Sequence, residues 1–283
     1  MKKGLILEGG AMRGLFSCGV CDVMMENGIE FDGAVGVSAG AAFGCNYKSR
    51  QAGRAARYNL KYAGDKRFCS FQNLIRTGDM FGVDFCYRRI PFELDVFDSE
   101  AFLENPMEFY AVATDCETGK AVYHKCIDGL GRDIEYIRAS ASLPLISRIV
   151  EVDGLYLLDG GIADSVPLRF FEDKGYDRNI VILTRPKGYV KEKSSMLPLM
   201  KLVLRKYPKA YEAMAKRHEV YNKTLEYVNE RERAGEVLVI RPETALPIKR
   251  MEKDPAVLKL VYETGRKTAK EQLDTVRDFL SEK

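Results

Sequence analysis

The sequence predicts an α/β fold in which a mixed, mostly parallel central sheet is flanked by helices. Three observations carry that expectation. Short apolar runs ending at glycine alternate with stretches of helical periodicity, and two such strand-turn-helix units follow one another at the N-terminus. Farther along, hairpin signals supply antiparallel strands. Strands that alternate with helices pair in parallel with both faces covered, whereas hairpins mix the sheet.

The elements follow in order. Residues 3–8 (Lys-Gly-Leu-Ile-Leu-Glu) form an apolar run stopped by Gly9-Gly10, and from about Met12 to Asn27 apolar residues recur at helical spacing until Gly28. Phe31 to Val37 is a second strand, followed by a small-residue segment, Ser38 to Tyr47, able to start a helix. Glu108–Thr114 and Lys120–His124 read as strands joined by Cys116 to Gly119. Ile149–Val152 and Leu155–Leu158 flank Asp153-Gly154, a two-residue type I′ turn signal. Asn179–Thr184 and Glu236–Ile240 are further strands; Ser195 to Arg233 is helical and charged. Asp254-Pro255, a capping acid followed by a first-turn proline, opens a final helix running toward Phe279.

With 283 residues and no repeat or linker, the economical organisation is one domain over 1–283: a motif-bearing region of about 3–185 and a C-terminal extension of about 186–283. Forty-four Lys+Arg against 41 Asp+Glu and 46% hydrophobic residues exclude disorder and a generic basic nucleic-acid binder. Glu8 and Arg13 interrupt the apolar stretch that an export signal would need, and no run reaches the ~18 apolar residues of a spanning helix. Seven scattered cysteines suit a reducing compartment, so the expected location is cytoplasmic.

Gly36-Val37-Ser38-Ala39-Gly40 matches G-x-S-x-G, whose glycines let the chain turn sharply from strand to helix and hold the serine exposed at the sheet's carboxyl edge. Its position after a strand and before a helix-compatible stretch is the context that a nucleophile requires; the bland alternative is a tight turn with a serine cap. A nucleophilic serine needs a base. Of the two histidines, His218 lies in a charged helical stretch and His124 on a strand. The order Ser38, Asp159, His218 would satisfy an α/β-hydrolase triad, but in that fold more strands precede the nucleophile. A carboxylate base is the other solution: an aspartate, a poor base in water at a pKa of ~3.9, gains basicity on burial. Asp153 is better explained by its turn. Asp159, ending the run Leu155 to Leu158 ahead of Gly160-Gly161, is either that base or an ordinary loop residue at a strand end.

Gly9-Gly10-Ala11-Met12-Arg13-Gly14 lies between the first strand and first helix, where backbone N–H groups converge at a helix N-terminus. Such a loop stabilises either a nucleotide phosphate or the oxyanion of an acyl-transfer intermediate. The dinucleotide pattern fails at Ala11, Glu8 would repel a phosphate, and no Gly-Lys-Ser/Thr ending makes a P-loop.

The glycine-rich loop, the G-x-S-x-G about 25 residues after it, and Asp159-Gly160-Gly161 followed by Pro167, taken in this order, resemble the patatin-like phospholipase family, particularly its bacterial members. The resemblance covers about residues 3–185; the remaining chain adds nothing diagnostic. It implies a three-layer patatin-like fold and a serine acyl hydrolase of the lipase or phospholipase type acting on lipid or other acyl esters, with no cofactor and no metal. Ser38 would be the nucleophile and Asp159 the base of a Ser-Asp dyad. Backbone amides of Gly9, Gly10, Ala11, Met12 and Arg13 would form the oxyanion hole, with Gly14, Gly36, Gly40, Gly160 and Gly161 supporting the motifs. Family members commonly carry glycine at the position of Ala11, whose methyl group keeps the N–H but restricts the backbone. Ala141-Ser142-Leu143-Pro144 resembles the family's short turn ahead of the hairpin that delivers the aspartate. The rival readings are a non-catalytic lipid- or nucleotide-binding protein on the same scaffold and an esterase with a histidine triad.

Cys18-Gly-Val-Cys21 sets two thiols on one helical face, either a redox pair or small core residues. Between Thr184 and Arg217 ten Lys/Arg face two glutamates, and the apolar cluster from Met196 to Leu204 makes residues 195–207 either a core-packed helix with solvated charges or an interfacial lid for peripheral membrane contact.

Overall fold

The computed structural model of the protein describes residues 1–281, so the last two residues of the expected C-terminal extension lie outside the described residues. In chain order the elements are β1 (Lys2–Leu7), α1 (Gly14–Glu26), β2 (Gly33–Val37), α2 (Ala39–Lys48), α3 (Arg54–Tyr62), α4 (Phe71–Thr77), α5 (Ser99–Glu104), β3 (Glu108–Asp115) and β4 (Ala121–Cys126). They continue with α6 (Arg132–Ser140), β5 (Val150–Val152), β6 (Leu155–Asp159), α7 (Leu168–Asp173), β7 (Tyr176–Ile182), α8 (Leu197–Val203), α9 (Pro208–Arg233), β8 (Val237–Ile240), α10 (Pro255–Glu271) and α11 (Leu273–Ser281).

The strands form one sheet in the order β5-β6-β3-β2-β1-β7-β8, with β4 also pairing β3. The run from β3 to β8 is parallel; β4, β5 and β6 join by antiparallel pairing. The expected mixed, mostly parallel sheet is therefore present. Alternation along the strands explains the three layers. Leu5 and Leu7 of β1 and Ile180 and Ile182 of β7 face a core shared with Phe16 and Met24 of α1 and Val261 of α10. The intervening Ile6 and Val181, with Val35, Val37 and Val112, face Leu168 and Phe171 of α7 and Val228 of α9. A strand buried on both faces has no polar positions to alternate, which is why these strands read as continuous apolar runs.

Three differences from the sequence expectation have local causes. The helical stretch 195–233 is broken, because Pro208 disfavours helical backbone at Tyr207 (φ −127°, ψ 70°) and restarts the chain as the first turn of α9. The final helix begins as expected, with the Asp254 side chain accepting the Ala256 N–H at 2.9 Å, but it ends at Gln272 and resumes as α11. The third is the segment 54–104, where α3, α4 and α5 form although the sequence reading assigns no element there; Ser70 and Asp98 cap α4 and α5 by accepting the Asn73 and Ala101 N–H groups. At the Asp153-Gly154 turn both residues have positive φ (52° and 75°), as a type I′ turn requires. The C-terminal extension is built into the same layers: β8 lengthens the sheet beside β7, and α10 crosses α1 where Gly19 and Gly265 face each other's helices. A Cβ at Gly19 would lie 2.1 Å from the Tyr262 carbonyl oxygen, so only glycine permits that crossing.

Candidate active site

β1 and β2 are parallel neighbours, so their carboxyl ends emerge side by side and place the Gly9–Arg13 loop against Ser38. Ser38 follows the last residue of β2 and precedes the first of α2, with φ 57° and ψ −120°. A side chain held there costs about 1–3 kcal/mol of backbone strain, which the surrounding structure must impose. The flanking glycines explain how. A Cβ at Gly36 would lie 2.3 Å from the Gly40 carbonyl oxygen, and one at Gly40 would lie 2.3 Å from that of Leu7. Only a pair of glycines lets α2 start this close to two strand ends. The Ser38 N–H is fixed by the Ser140 hydroxyl, which accepts it at 2.8 Å.

Strand register brings Asp159 opposite. Val37 pairs with Val112 and Asp159 with Ala113, so Ser38 and Asp159 stand at the same height on either side of β3. That is two strand spacings, roughly 10 Å between backbones, and side chains leaning over the end of one strand can meet. The segment from Ser140 to Pro144 serves both residues. Ser140 receives the Ser38 N–H, and the Ser142 carbonyl accepts the Asp159 N–H at 2.7 Å. The carboxylate is 1% exposed and accepts the Gly161 N–H at 2.8 Å. Burial pushes its pKa up, against the opposing pull of the Arg217 charge, hydrogen bonding from the Ser38 side chain, the Gly161 N–H and the more distant Arg250.

In the glycine-rich loop the donors are not equivalent. Met12 N–H is directed to the Arg250 carbonyl at 3.4 Å and Arg13 N–H to the Gly10 carbonyl at 3.1 Å. Among the described residues this leaves Gly10 and Ala11 as the uncommitted donors from Gly10 to Arg13. Gly9 is pressed against the turn at Ser38, since a Cβ there would lie 2.8 Å from Ser38 Cβ. Gly14, the first residue of α1, is similarly close to Ala39. Ala11 adopts φ 48°, the left-handed region that glycine would occupy without strain.

Two cavities meet at Ser38. One, of about 150 Å³, is lined mainly by apolar side chains including Phe68, Phe81, Ile90, Phe97, Ile134 and Ile137. The other, of about 40 Å³, is polar and holds Ser38 and Asp159 together with Glu8 and five cations: Arg13, Arg185, Lys191, Arg217 and Arg250. Glu8, expected to repel anions, is buried and bound: its carboxylate accepts the Thr184 N–H (2.5 Å), the Thr184 hydroxyl (3.0 Å) and the Tyr221 hydroxyl (2.6 Å). Sequence reasoning missed this cluster. Arg185, Lys191 and Arg217 were legible only as members of a basic stretch, and no local signal joins them to Arg13 or Arg250.

Neither histidine lines either cavity. His218 lies 3.8 Å from Glu219, and His124 stacks on Tyr136 while its Nε2 meets Asp133 at 2.7 Å. His124, Cys126 and Asp133 could hold a metal by proximity, but Asp133 also accepts the N–H groups of Ile127, Asp128 and Gly129, which commits it to fixing the loop after β4. Cys18 and Cys21 are buried in the core with thiols pushed far above their ordinary range by burial, which suits packing and not redox chemistry. In α8, Leu197 and Leu204 are buried, whereas Met196, Leu199, Leu202 and Val203 are 45–63% exposed. No helix among the described residues is long and apolar enough to cross a membrane.

Comparison with known proteins gives the arrangement its relatives. The chain is 29% identical over 192 residues to the uncharacterized protein YjjU of Escherichia coli, a match covering 64% of this chain and 52% of that protein. It is 28% identical over 185 residues to lysophospholipase nte1 of Aspergillus niger (62% and 11%). It is 30% identical over 168 residues to the uncharacterized NTE family protein Mb1092c of Mycobacterium bovis (58% and 44%). The chain thus spans about half or less of the length of these relatives. Residues 207–281 match a domain of unknown function, DUF6363. Residues 5–171, more than half of the chain and the part that contains both Ser38 and Asp159, match the patatin-like phospholipase family, and the chain belongs to that family.

Proposed function

We propose that the protein is a serine acyl hydrolase that cleaves carboxylic esters of lipids through an acyl-serine intermediate, and that residues 1–283 work as one unit. The observation that carries this reading is the shared cleft of Ser38 and Asp159 beside the free N–H groups of the glycine-rich loop. Asp159 takes the Ser38 Oγ proton as Oγ attacks the ester carbonyl carbon. The negative charge that develops on the carbonyl oxygen is received by the N–H groups of Gly10 and Ala11, aided by the N-terminus of α2. As the C–O bond breaks, Asp159 returns the proton to the departing alcohol. A water molecule then gives its proton to Asp159, attacks the acyl-serine carbonyl and releases the fatty acid, and the proton returns to Ser38. A buried carboxylate with a raised pKa is suited to this exchange.

Fluorophosphonate labelling combined with p-nitrophenyl ester turnover tests the reading. Wild type should label and turn over, while Ser38→Ala and Asp159→Asn lose at least about 10⁴-fold in kcat/KM and His218→Ala stays active. An inactive His218→Ala with an active Asp159→Asn would restore the histidine triad. Absence of labelling would leave a non-catalytic lipid- or nucleotide-binding protein.

The seven free cysteines suit a cytoplasmic setting. There the exposed apolar side chains of α8, flanked by Lys201, Arg205 and Lys206, would give peripheral contact with anionic membrane surfaces. Charge reversal at those three residues should abolish sedimentation with anionic liposomes; unchanged sedimentation would discard residues 195–207 as the contact.

A further inference from the structure

The polar cleft beside Ser38 carries more positive charge than the chain neutralises. Five cations line it against two carboxylates, and both carboxylates are already engaged, Glu8 by Thr184 and Tyr221 and Asp159 by Gly161. Among the described residues none of the five forms an ion pair with a carboxylate within 4 Å. Arg13 Nε is buried with no hydrogen-bond partner. Arg185 lies over the Tyr189 ring at 4.4 Å and Lys191 over the Tyr221 ring at 4.0 Å, contacts that orient the cations without cancelling them. Arg217 donates through Nε to the Gly161 carbonyl. Lys191 shows the cost of this crowding: burial and the charges of Arg217, Arg13 and Arg185 push its pKa down to about 7, with only Glu8 opposing. Cations gathered in excess of their counter-charge are unfavourable unless an anion completes the site.

We propose that this cleft is a head-group site for a phosphate-bearing anion, so that the preferred substrates are acyl esters carrying a phosphomonoester close to the scissile bond. The inference rests on the hydrolase reading and names its substrate class. Arginine forks match phosphate oxygens. At roughly 10–15 Å³ per water, a cleft of about 40 Å³ takes a group of a few heavy atoms and no acyl chain, which has the apolar cavity on the other side of Ser38. A quaternary ammonium or amine head group would meet an excess of like charge. Four of the five cations lie beyond residue 171, outside the stretch matched by the patatin-like family, and Arg217 and Arg250 fall in the domain of unknown function. The C-terminal part of the chain thereby acquires a role in head-group selection.

Calorimetric titration of the full chain with glycerol 3-phosphate, glycerophosphocholine and inorganic phosphate tests the site without requiring turnover. Glycerol 3-phosphate should bind at least about tenfold more tightly than the other two, and Arg185→Gln and Lys191→Gln should each weaken it about tenfold, with Arg185→Lys recovering part of the loss. In turnover, the kcat/KM ratio of lysophosphatidic acid to monoacylglycerol should fall in the same two variants by a similar factor. Absent glycerol 3-phosphate binding, or binding indifferent to both substitutions, overturns the proposal. Inorganic phosphate binding as tightly as glycerol 3-phosphate assigns the cleft to the free ion and overturns the head-group assignment. Turnover that survives Ser38→Ala defeats the hydrolase reading alone, because the titration still decides the cleft.

Discussion

The two cavities that meet at Ser38 both contain charged side chains, yet they treat them differently. In the apolar cavity Arg54 donates to the Asp95 carbonyl and to Asn46, Arg138 pairs with Glu135, and Asp79 accepts the Arg148 N–H. Apart from Arg250, which lines both cavities, each of these charges is spent on the wall. In the polar cleft, among the described residues, none of the five cations meets a carboxylate within 4 Å, while the carboxylates beside them are occupied. The difference follows the chain. Apart from Arg250 and Met251, the apolar cavity is lined by residues 11–147, and four of the cleft's cations come from residues 185–250. The family-matched stretch thus supplies Ser38, Asp159 and the dry cavity, and the later segment supplies charge. On the proposed reading, a dry seat and a charged seat that meet at Ser38 would select for an amphiphile laid across it.

The comparison breaks most visibly if the apolar cavity does not hold the acyl chain. Ala42 of α2 lines that cavity and is half-buried. Ala42→Phe should fill part of the seat. At about 0.8 kcal/mol per excluded methylene, losing four of them costs about 3 kcal/mol, or roughly 10²-fold. The expected result is that kcat/KM for a dodecanoyl p-nitrophenyl ester falls by about that factor relative to the acetyl ester. An unchanged chain-length profile would mean that the acyl group goes elsewhere.

A smaller effect separates charge from packing on the other side. Arg217 is the foremost of the groups that counter the burial of Asp159. If Asp159 must be ionised to act, kcat/KM falls as pH drops through its pKa, which burial already holds above the usual carboxylate range. Removing the Arg217 charge removes a stabiliser of the carboxylate, so its pKa rises further. The acid limb of the profile should move to higher pH in Arg217→Gln and return toward wild type in Arg217→Lys, which restores the charge but not the bond to Gly161. A pH profile that scales down without moving would reduce Arg217 to a structural role.

What was legible in the sequence is what local chemistry dictates. The glycine spacing around Ser38 announces a sharp strand-to-helix turn because a Cβ at Gly36 would collide with Gly40 and one at Gly40 with Leu7. The type I′ turn at Asp153-Gly154 and the cap at Asp254 are likewise local. The meeting of Ser38 with Asp159 depends on the register of β3 with both neighbours, which no short motif encodes. The cations of the cleft were out of reach altogether, since Arg13, Arg185, Arg217 and Arg250 are joined only by the completed sheet and by α9. A basic stretch that looked like a solvated or membrane-facing surface contributes three of its members to the site's interior.

The smallest expected effect concerns the loop between the two cavities. Ala11 lines both of them and holds φ 48°, where its Cβ crowds the backbone and costs roughly 1–2 kcal/mol. Glycine would remove that crowding but would also free the unfolded chain, at roughly 0.5–1 kcal/mol. The two terms nearly offset, and the balance favours glycine. Ala11→Gly should therefore raise the urea midpoint by an amount equivalent to at most about 1 kcal/mol, with ester turnover changed little because the N–H donor is retained. A loss of stability would mean that the methyl group's contacts outweigh the strain. A fall in turnover with stability intact would mean that the alanine holds its N–H in the receiving position more firmly than glycine can.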